Sequence, residues 1–175
     1  IQNLAELDAI ADVVIIDTGA GISDAVLEFL VASGEILLVT TPEPTSITDS
    51  YSLLKALNRH PRFSKEVSQI KVIANKVDSE ESGKSLFTKL NAVVARYLKL
   101  PITYLGAVPQ DINLSNAVMQ QTPVSLANPN TKSAKAYQRI ANVLMYGESA
   151  ESVQKRGMAA FFSHIITNKN PFRPM

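Results

Sequence analysis

Four short runs rich in Val, Ile and Leu limit what this chain can fold into: residues 12–17 (DVVIID), 35–40 (EILLVT), 69–75 (QIKVIAN) and 102–108 (ITYLGAV). The first three are almost continuously apolar, whereas a strand with one face in water would alternate. Such runs suit strands covered on both faces of a parallel sheet. Stretches of helical period lie between them. Residues 22–32 repeat apolar side chains at Ile22, Val26, Leu27, Leu30 and Val31, and residues 82–98 at Leu86, Phe87, Leu90, Val93, Val94 and Tyr97. Residues 45–58 open with Thr45 and Ser46 as N-cap candidates and Asp49 in the first turn. Residues 113–121 and 131–146 are predicted as two further helices after the last strand. A chain of 175 residues is long enough for one domain with a real core. Strand and helix in alternation predict βαβ units with right-handed crossovers, and hence an α/β fold with a doubly wound, mostly parallel sheet.

In such a sheet ligands gather at the carboxyl ends of the strands. Four polar or Gly/Pro-rich clusters fall there: Asp17-Thr18-Gly19-Ala20-Gly21, Thr41-Pro42-Glu43-Pro44, Asn75-Lys76-Val77-Asp78 and Pro109-Gln110-Asp111. All four are expected along one rim. Their convergence says more than any one of them.

The segment DVVIIDTGAGIS carries the most chemistry. Its apolar run pushes a carboxylate to a strand end, and two glycines then let the backbone turn tightly with free N–H groups. A carboxylate so placed can hold hydrated Mg²⁺, and a glycine N–H can approach a terminal phosphate. The same residues also read as a strand followed by a helix N-cap, since Asp-Gly turns are common.

DTGAGIS resembles the Walker B and switch II segment of the MinD/ParA-type deviant P-loop ATPases, and in particular their FlhG-like members, which regulate flagellar number and site. Further likenesses follow in order: TTPEPTSITDSYSLLK after the next strand, IANKV at the adenine-side asparagine, and LGAVPQDINLSNAVMQQTPVSLANPNTKSAKAYQRIANVL over the closing strand and its helices. Together they cover about residues 5–146. The resemblance implies ATP and Mg²⁺ as cofactors. Asp17 would act on the metal through water. Gly21 would offer its N–H to the γ-phosphate, with Thr18 and Gly19 in the switch around it. Asn75 would hydrogen-bond the adenine edge, and Pro109, Gln110 and Asp111 would wall the base; Pro109 also reads as a simple loop proline.

NKVD at Asn75–Asp78 spells a guanine-reading signature too. It is discounted because the rest of the chain follows the adenine-binding pattern, in which the fourth position varies. Gly83-Lys84-Ser85 imitates the end of a Walker A sequence. However, Asp78 stands where its first glycine belongs, and Glu80 and Glu81 stand where phosphates need N–H groups. The P-loop and its lysines are therefore expected upstream. The start, Ile1-Gln2-Asn3-Leu4, has neither an initiator Met nor a signal-peptide layout, and is read as a cut inside a longer protein.

Composition narrows the partners. A net charge of +1 gives no global pull toward nucleic acid or anionic membrane. The absence of cysteine removes disulfides and thiolate metal sites and favours the cytosol. No apolar run approaches the roughly 20 residues that span a bilayer. His60 beside Pro61, and His164, read as loop or solvated residues without a metal role.

The chain divides at Gly147, with residues 1–147 as the ATPase portion and 148–175 as a tail. On a helical wheel Met158, Phe161, Phe162, Ile165 and Ile166 share an arc of roughly 140°. Arg156, Ser163, His164 and Thr167 fall outside it, with Lys155, Lys169 and Arg173 adding charge. Such a helix can lie in a membrane interface, weakly and reversibly; it can equally dock on its own domain. The family resemblance favours the membrane. It also implies an ATP-bound homodimer, cycling between cytosol and the inner face of the bacterial plasma membrane. Further implied partners are an FlhF-like SRP-type GTPase and flagellar basal-body or switch components. A DNA-segregating ParA-like regulator, a division-site regulator and a non-catalytic scaffold are the alternatives. Because the Phe161/Phe162 pair favours lipid over DNA, no nucleic-acid partner is expected.

Overall fold

Helices too long for hairpin loops separate the strands, so the strands pair side by side in the same direction. The computed structural model describes residues 10–147. Its elements are α1 (Asp24–Ala32), β1 (Glu35–Thr40), α2 (Pro44–Arg59), β2 (Gln69–Val77), α3 (Glu80–Leu98), β3 (Thr103–Pro109), α4 (Ile112–Met119), α5 (Val124–Ala127) and α6 (Lys132–Tyr146). The three strands form a parallel sheet in the order β1-β2-β3. Glu35 lies opposite Gln69, Thr40 opposite Ala74, and Val77 opposite Pro109.

Helices cover both faces. On one, Leu27 and Val31 of α1, Leu54 and Leu57 of α2, and Leu90, Val94 and Leu98 of α3 close over Ile36, Leu38, Ile70 and Val72. On the other, Ala136 and Ile140 of α6 pack on Ile73, Leu105 and Val108. The expected α/β, doubly wound parallel architecture is present.

Two expectations fail. Residues 12–17 form no strand: Val13 is 55% and Ile15 80% exposed, and the segment joins no ladder. Its β-branched residues have the propensity, but propensity makes a strand only where a neighbouring edge offers hydrogen bonds. The outer edges of β1 and β3 are unpaired among the described residues, but the segment is laid along neither of them. Nor is β1 covered on both faces. Its burial alternates, with Leu37 and Val39 on the open side, because α6 lies over β2 and β3 and does not extend over β1.

Helix starts moved for local reasons. Ser46 does not cap α2; that helix starts at Pro44, with Glu43 as a cap that makes no side-chain bond. α3 starts at Glu80, two residues before the expected 82, with Ser79 as its cap, and Ser79 and Ser82 form a reciprocal capping box. The Gly83-Lys84-Ser85 imitation lies inside α3 and has a packing explanation. A Cβ on Gly83 would stand 2.7 Å from the Ala107 Cβ and 2.8 Å from the Tyr104 hydroxyl. Glycine there lets the helix cross β3 at close range. α6 ends at Tyr146 against Gly147, whose φ of 72° suits glycine. The tail residues Met158, Phe161, Phe162, Ile165 and Ile166 lie outside the described residues.

Candidate functional site

A parallel ladder carries every strand's carboxyl end to one rim, and here the loops after β1, β2 and β3 meet there. The β1 loop is tied down from beneath. Thr40 is fully buried, with its hydroxyl 3.3 Å from that of Ser46, and the Thr41 N–H donates to the same Ser46 oxygen at 3.0 Å. The Thr41 hydroxyl donates to the Glu43 carboxylate. Sequence reasoning took Ser46 for a helix cap; its actual role depends on where the neighbouring strand ends.

At the end of β2, Asn75 is half-buried and its Oδ1 accepts the Lys76 N–H at 2.9 Å. Lys76 adopts a left-handed φ of 53°, at a register shift between Asn75 and Val77. With its oxygen engaged, the Asn75 amide has its NH₂ donors free of any protein acceptor among the described residues. A planar heterocycle with a ring-nitrogen acceptor suits such a group. The Gln110 N–H donates to the Val77 carbonyl at 2.9 Å, locking the loop after β3 to β2. Asn75, Pro109, Gln110 and Asp111 are thus brought together.

Asp111 is held more tightly than a binding-site wall would require. It caps α4 through the Asn113 N–H at 2.9 Å, and its other oxygen accepts the Ser133 N–H at 3.1 Å and hydroxyl at 2.9 Å. Ser133 is fully buried. The carboxylate therefore links the loop to the first turn of α6. Sequence inspection missed Ser133, which gives no signal except its place after the helix cap Thr131. Beside this link lies an open cavity of about 670 Å³ lined by Gln110, Asp111, Asn113, Asn130, Thr131 and Lys132.

Asp17, Thr18, Gly19 and Gly21 enter differently. Asp17 and both glycines are exposed, and Gly21 has a φ of 112°, a conformation that favours glycine. Two residues later Ser23 caps α1, accepting the Val26 N–H at 3.4 Å. α1 reaches β1 through the short Ser33-Gly34 turn and so runs against the strand direction, which carries its N-terminus toward the rim. None of these four residues lines the cavity. Among the described residues no group of three or more His, Asp or Glu could hold a metal by itself. A single exposed carboxylate still fits magnesium, which keeps several waters and shares phosphate oxygens.

No family model matches the chain. It is similar over 141 residues, at 39% identity, to the antiactivator FleN of Pseudomonas aeruginosa, covering 81% of this chain and 49% of that one. It is 30% identical to the flagellum site-determining protein YlxH of Helicobacter pylori, over 89% of this chain and 52% of that one. Among solved structures, the MinD cell division protein of Aquifex aeolicus superposes with a TM-score of 0.59 at 21% identity, over 82% of this chain and 58% of that one. A ParA family ATPase from Chlorobium tepidum gives 0.54 at 24% identity, over 74% and 48%. The chain belongs to the MinD/ParA family. It spans about half the length of FleN and of YlxH.

Asp78, the carboxylate that a guanine would need, lines a separate groove beside Lys135 and Arg139, outside the cavity at Gln110 and Asp111. The Asp111 link also has a pH signature. The Ser133 N–H, helped by Asn113 and the Ser133 hydroxyl, holds the carboxyl below its ordinary 3.8, at about 2. A depressed folded-state value stabilises above the unfolded value and loses that stabilisation as pH falls through the folded one. Asp111→Asn is accordingly expected to flatten the dependence of the urea midpoint on pH between 3.8 and about 2. An unchanged slope across that window would show that the link carries no stability.

Proposed function

We propose that the intact protein is an ATP-hydrolysing MinD/ParA-type switch that helps set flagellar placement and number. The carrying observation is the rim where Asn75, with free amide donors, meets the Pro109-Gln110-Asp111 loop, in a chain 39% identical to an antiactivator over 81% of its length. In this reading Asn75 donates to the adenine ring, Pro109 and Gln110 flank the base, and Asp111 positions the loop. Asp17 orients a water on magnesium, and the Gly21 N–H meets the terminal phosphate. Bound magnesium would neutralise charge on the transferred phosphoryl group. The phosphate cradle comes from upstream sequence.

Asn75→Ala is expected to weaken ATP binding about tenfold, the worth of a hydrogen bond of about 1.4 kcal/mol, with no change in thermal stability. Fluorescent-nucleotide titration of the intact protein measures it. Undiminished affinity, or tighter binding of GTP than of ATP, would remove the adenine assignment.

The proposal extends to the tail. ATP-driven pairing would present two copies of the residue 158–166 stripe to an anionic bilayer, making attachment steep in dimer population. Release would follow hydrolysis, returning monomers to the cytosol. The SRP-type GTPase and basal-body partners implied by the resemblance belong to this cycle. Burial of one phenylalanine contributes about 1.5–3 kcal/mol, so Phe161→Glu is expected to lower vesicle binding by about tenfold or more. Co-sedimentation with phosphatidylglycerol vesicles in the presence of ATP reads the effect. Equal sedimentation of variant and parent would exclude the tail as the anchor.

A further inference from the structure

We propose that the free edge of β3, with the basic flank of α6 beside it, docks an extended acidic segment of a partner protein. This inference is independent of the nucleotide reading.

β3 pairs with β2 on one side and, among the described residues, with nothing on the other. Its seven residues, TYLGAVP, carry no charge. An edge strand presents a row of backbone groups ready to pair with another chain, and charges on the strand itself are the usual defence. Here Pro109, which lacks an N–H, and the register shift at Leu105 blunt parts of the edge, but no charge guards it, and the charge stands on the neighbouring helices. α3 lies over one face of β3 and α6 over the other. The edge therefore forms the floor of a groove of about 260 Å³, with Ala107 and Pro109 at the bottom.

The two walls differ. Lys132, Lys135 and Arg139 line the α6 wall and are all exposed. Spacings of three and four residues place them on one flank of the helix. None has a carboxylate partner among the described residues, where the ion pairs are Glu28 with His60 and Arg62, and Glu35 with Lys71. On the α3 wall, Glu80 is already engaged, accepting the Tyr104 hydroxyl at 2.8 Å. Burial first, and then Glu80, push the Tyr104 hydroxyl upward, so it remains a donor. Asp78 also lines the groove, exposed and in no ion pair among the described residues. Three cations thus face two carboxylates, of which Glu80 is engaged, and the groove keeps an excess of positive charge.

Spacing and charge select the occupant. From Lys132 to Arg139 the helix rises about 10 Å. Alternate side chains of an extended strand stand about 7 Å apart on one side. A peptide with acids at alternate positions therefore meets this flank with two carboxylates while its backbone pairs with β3. A second copy of the chain does not fit. Antiparallel pairing of two β3 edges about a two-fold axis normal to the sheet would set the two basic flanks side by side. The charges that disfavour self-pairing thus favour an acidic strand.

The test uses the intact protein and a fluorescein-labelled peptide of alternating glutamate and valine. Saturable binding is expected, weakening as salt rises, together with slowed hydrogen exchange at β3 amides. K135E/R139E is expected to lose about tenfold in affinity while keeping its melting temperature and its affinity for ATP. Methylating alternate peptide nitrogens, which removes the strand donors, is expected to cost at least as much. No saturable binding up to millimolar peptide would overturn the proposal, as would equal affinity of K135E/R139E. Undiminished binding of the methylated peptide would show charge attraction without strand addition. Loss by K135E/R139E of DNA or vesicle binding, with peptide binding intact, would assign the flank to those ligands instead.

Discussion

Asp17→Ala is expected to lower magnesium-dependent ATP turnover of the intact protein by about two orders of magnitude or more, the scale of removing one preorganised group that acts on developing charge. Exposure makes this a clean experiment. Asp17 stands in water on a segment that joins no ladder, so its truncation leaves no cavity and no unpaired buried group. The melting temperature is expected to stay within the small range of surface substitutions, about 0.5 kcal/mol in stability. Turnover is read by phosphate release under saturating ATP and magnesium. A variant that hydrolyses ATP at the parent rate would remove Asp17 from the mechanism. One that fails only because it unfolds would place the residue in the fold.

Leu90→Ala should show the opposite pattern, a large loss of stability from a residue far from the rim. Leu90 is 1% exposed, in the cluster that joins α3 to α1, α2 and the sheet. Truncating a buried leucine costs about 2–5 kcal/mol through lost transfer energy and the cavity left behind. That is a large share of the 5–15 kcal/mol that holds a typical domain together. Urea unfolding is expected to show a lower midpoint with an unchanged slope, since the surface exposed on unfolding is nearly the same. A loss below about 1 kcal/mol would mean that the cluster collapses around the gap and is looser than its burial implies.

Legibility differed between elements. Glu35–Thr40 was predicted to the residue, and β2 and β3 to within two, because short runs of Val, Ile and Leu between polar loops have few other ways to bury themselves. The helices were located by their apolar period, while their first residues shifted. Capping depends on which nearby backbone is free, and Ser46 found Thr40 and Thr41 whereas Ser79 found Ser82. Of the candidate site, Asn75 and the Pro109–Asp111 loop were legible as polar residues at strand ends. The Asp111–Ser133 link was not, since it joins residues on separate elements. The basic flank of α6 was equally hidden, because Lys132, Lys135 and Arg139 matter only beside an uncharged strand edge.

By itself the sequence determined the alternation of buried strand and amphipathic helix, the parallel pairing this requires, and the family, since each rests on local order along the chain. Tertiary structure alone decided that DVVIID makes no ladder here, that Gly83 serves helix–strand packing, and that Asp111 acts as a clamp. Those outcomes depend on which surfaces meet across distances in sequence that no local pattern records. A strand needs a partner laid against it, a glycine a close approach and a carboxylate its donors.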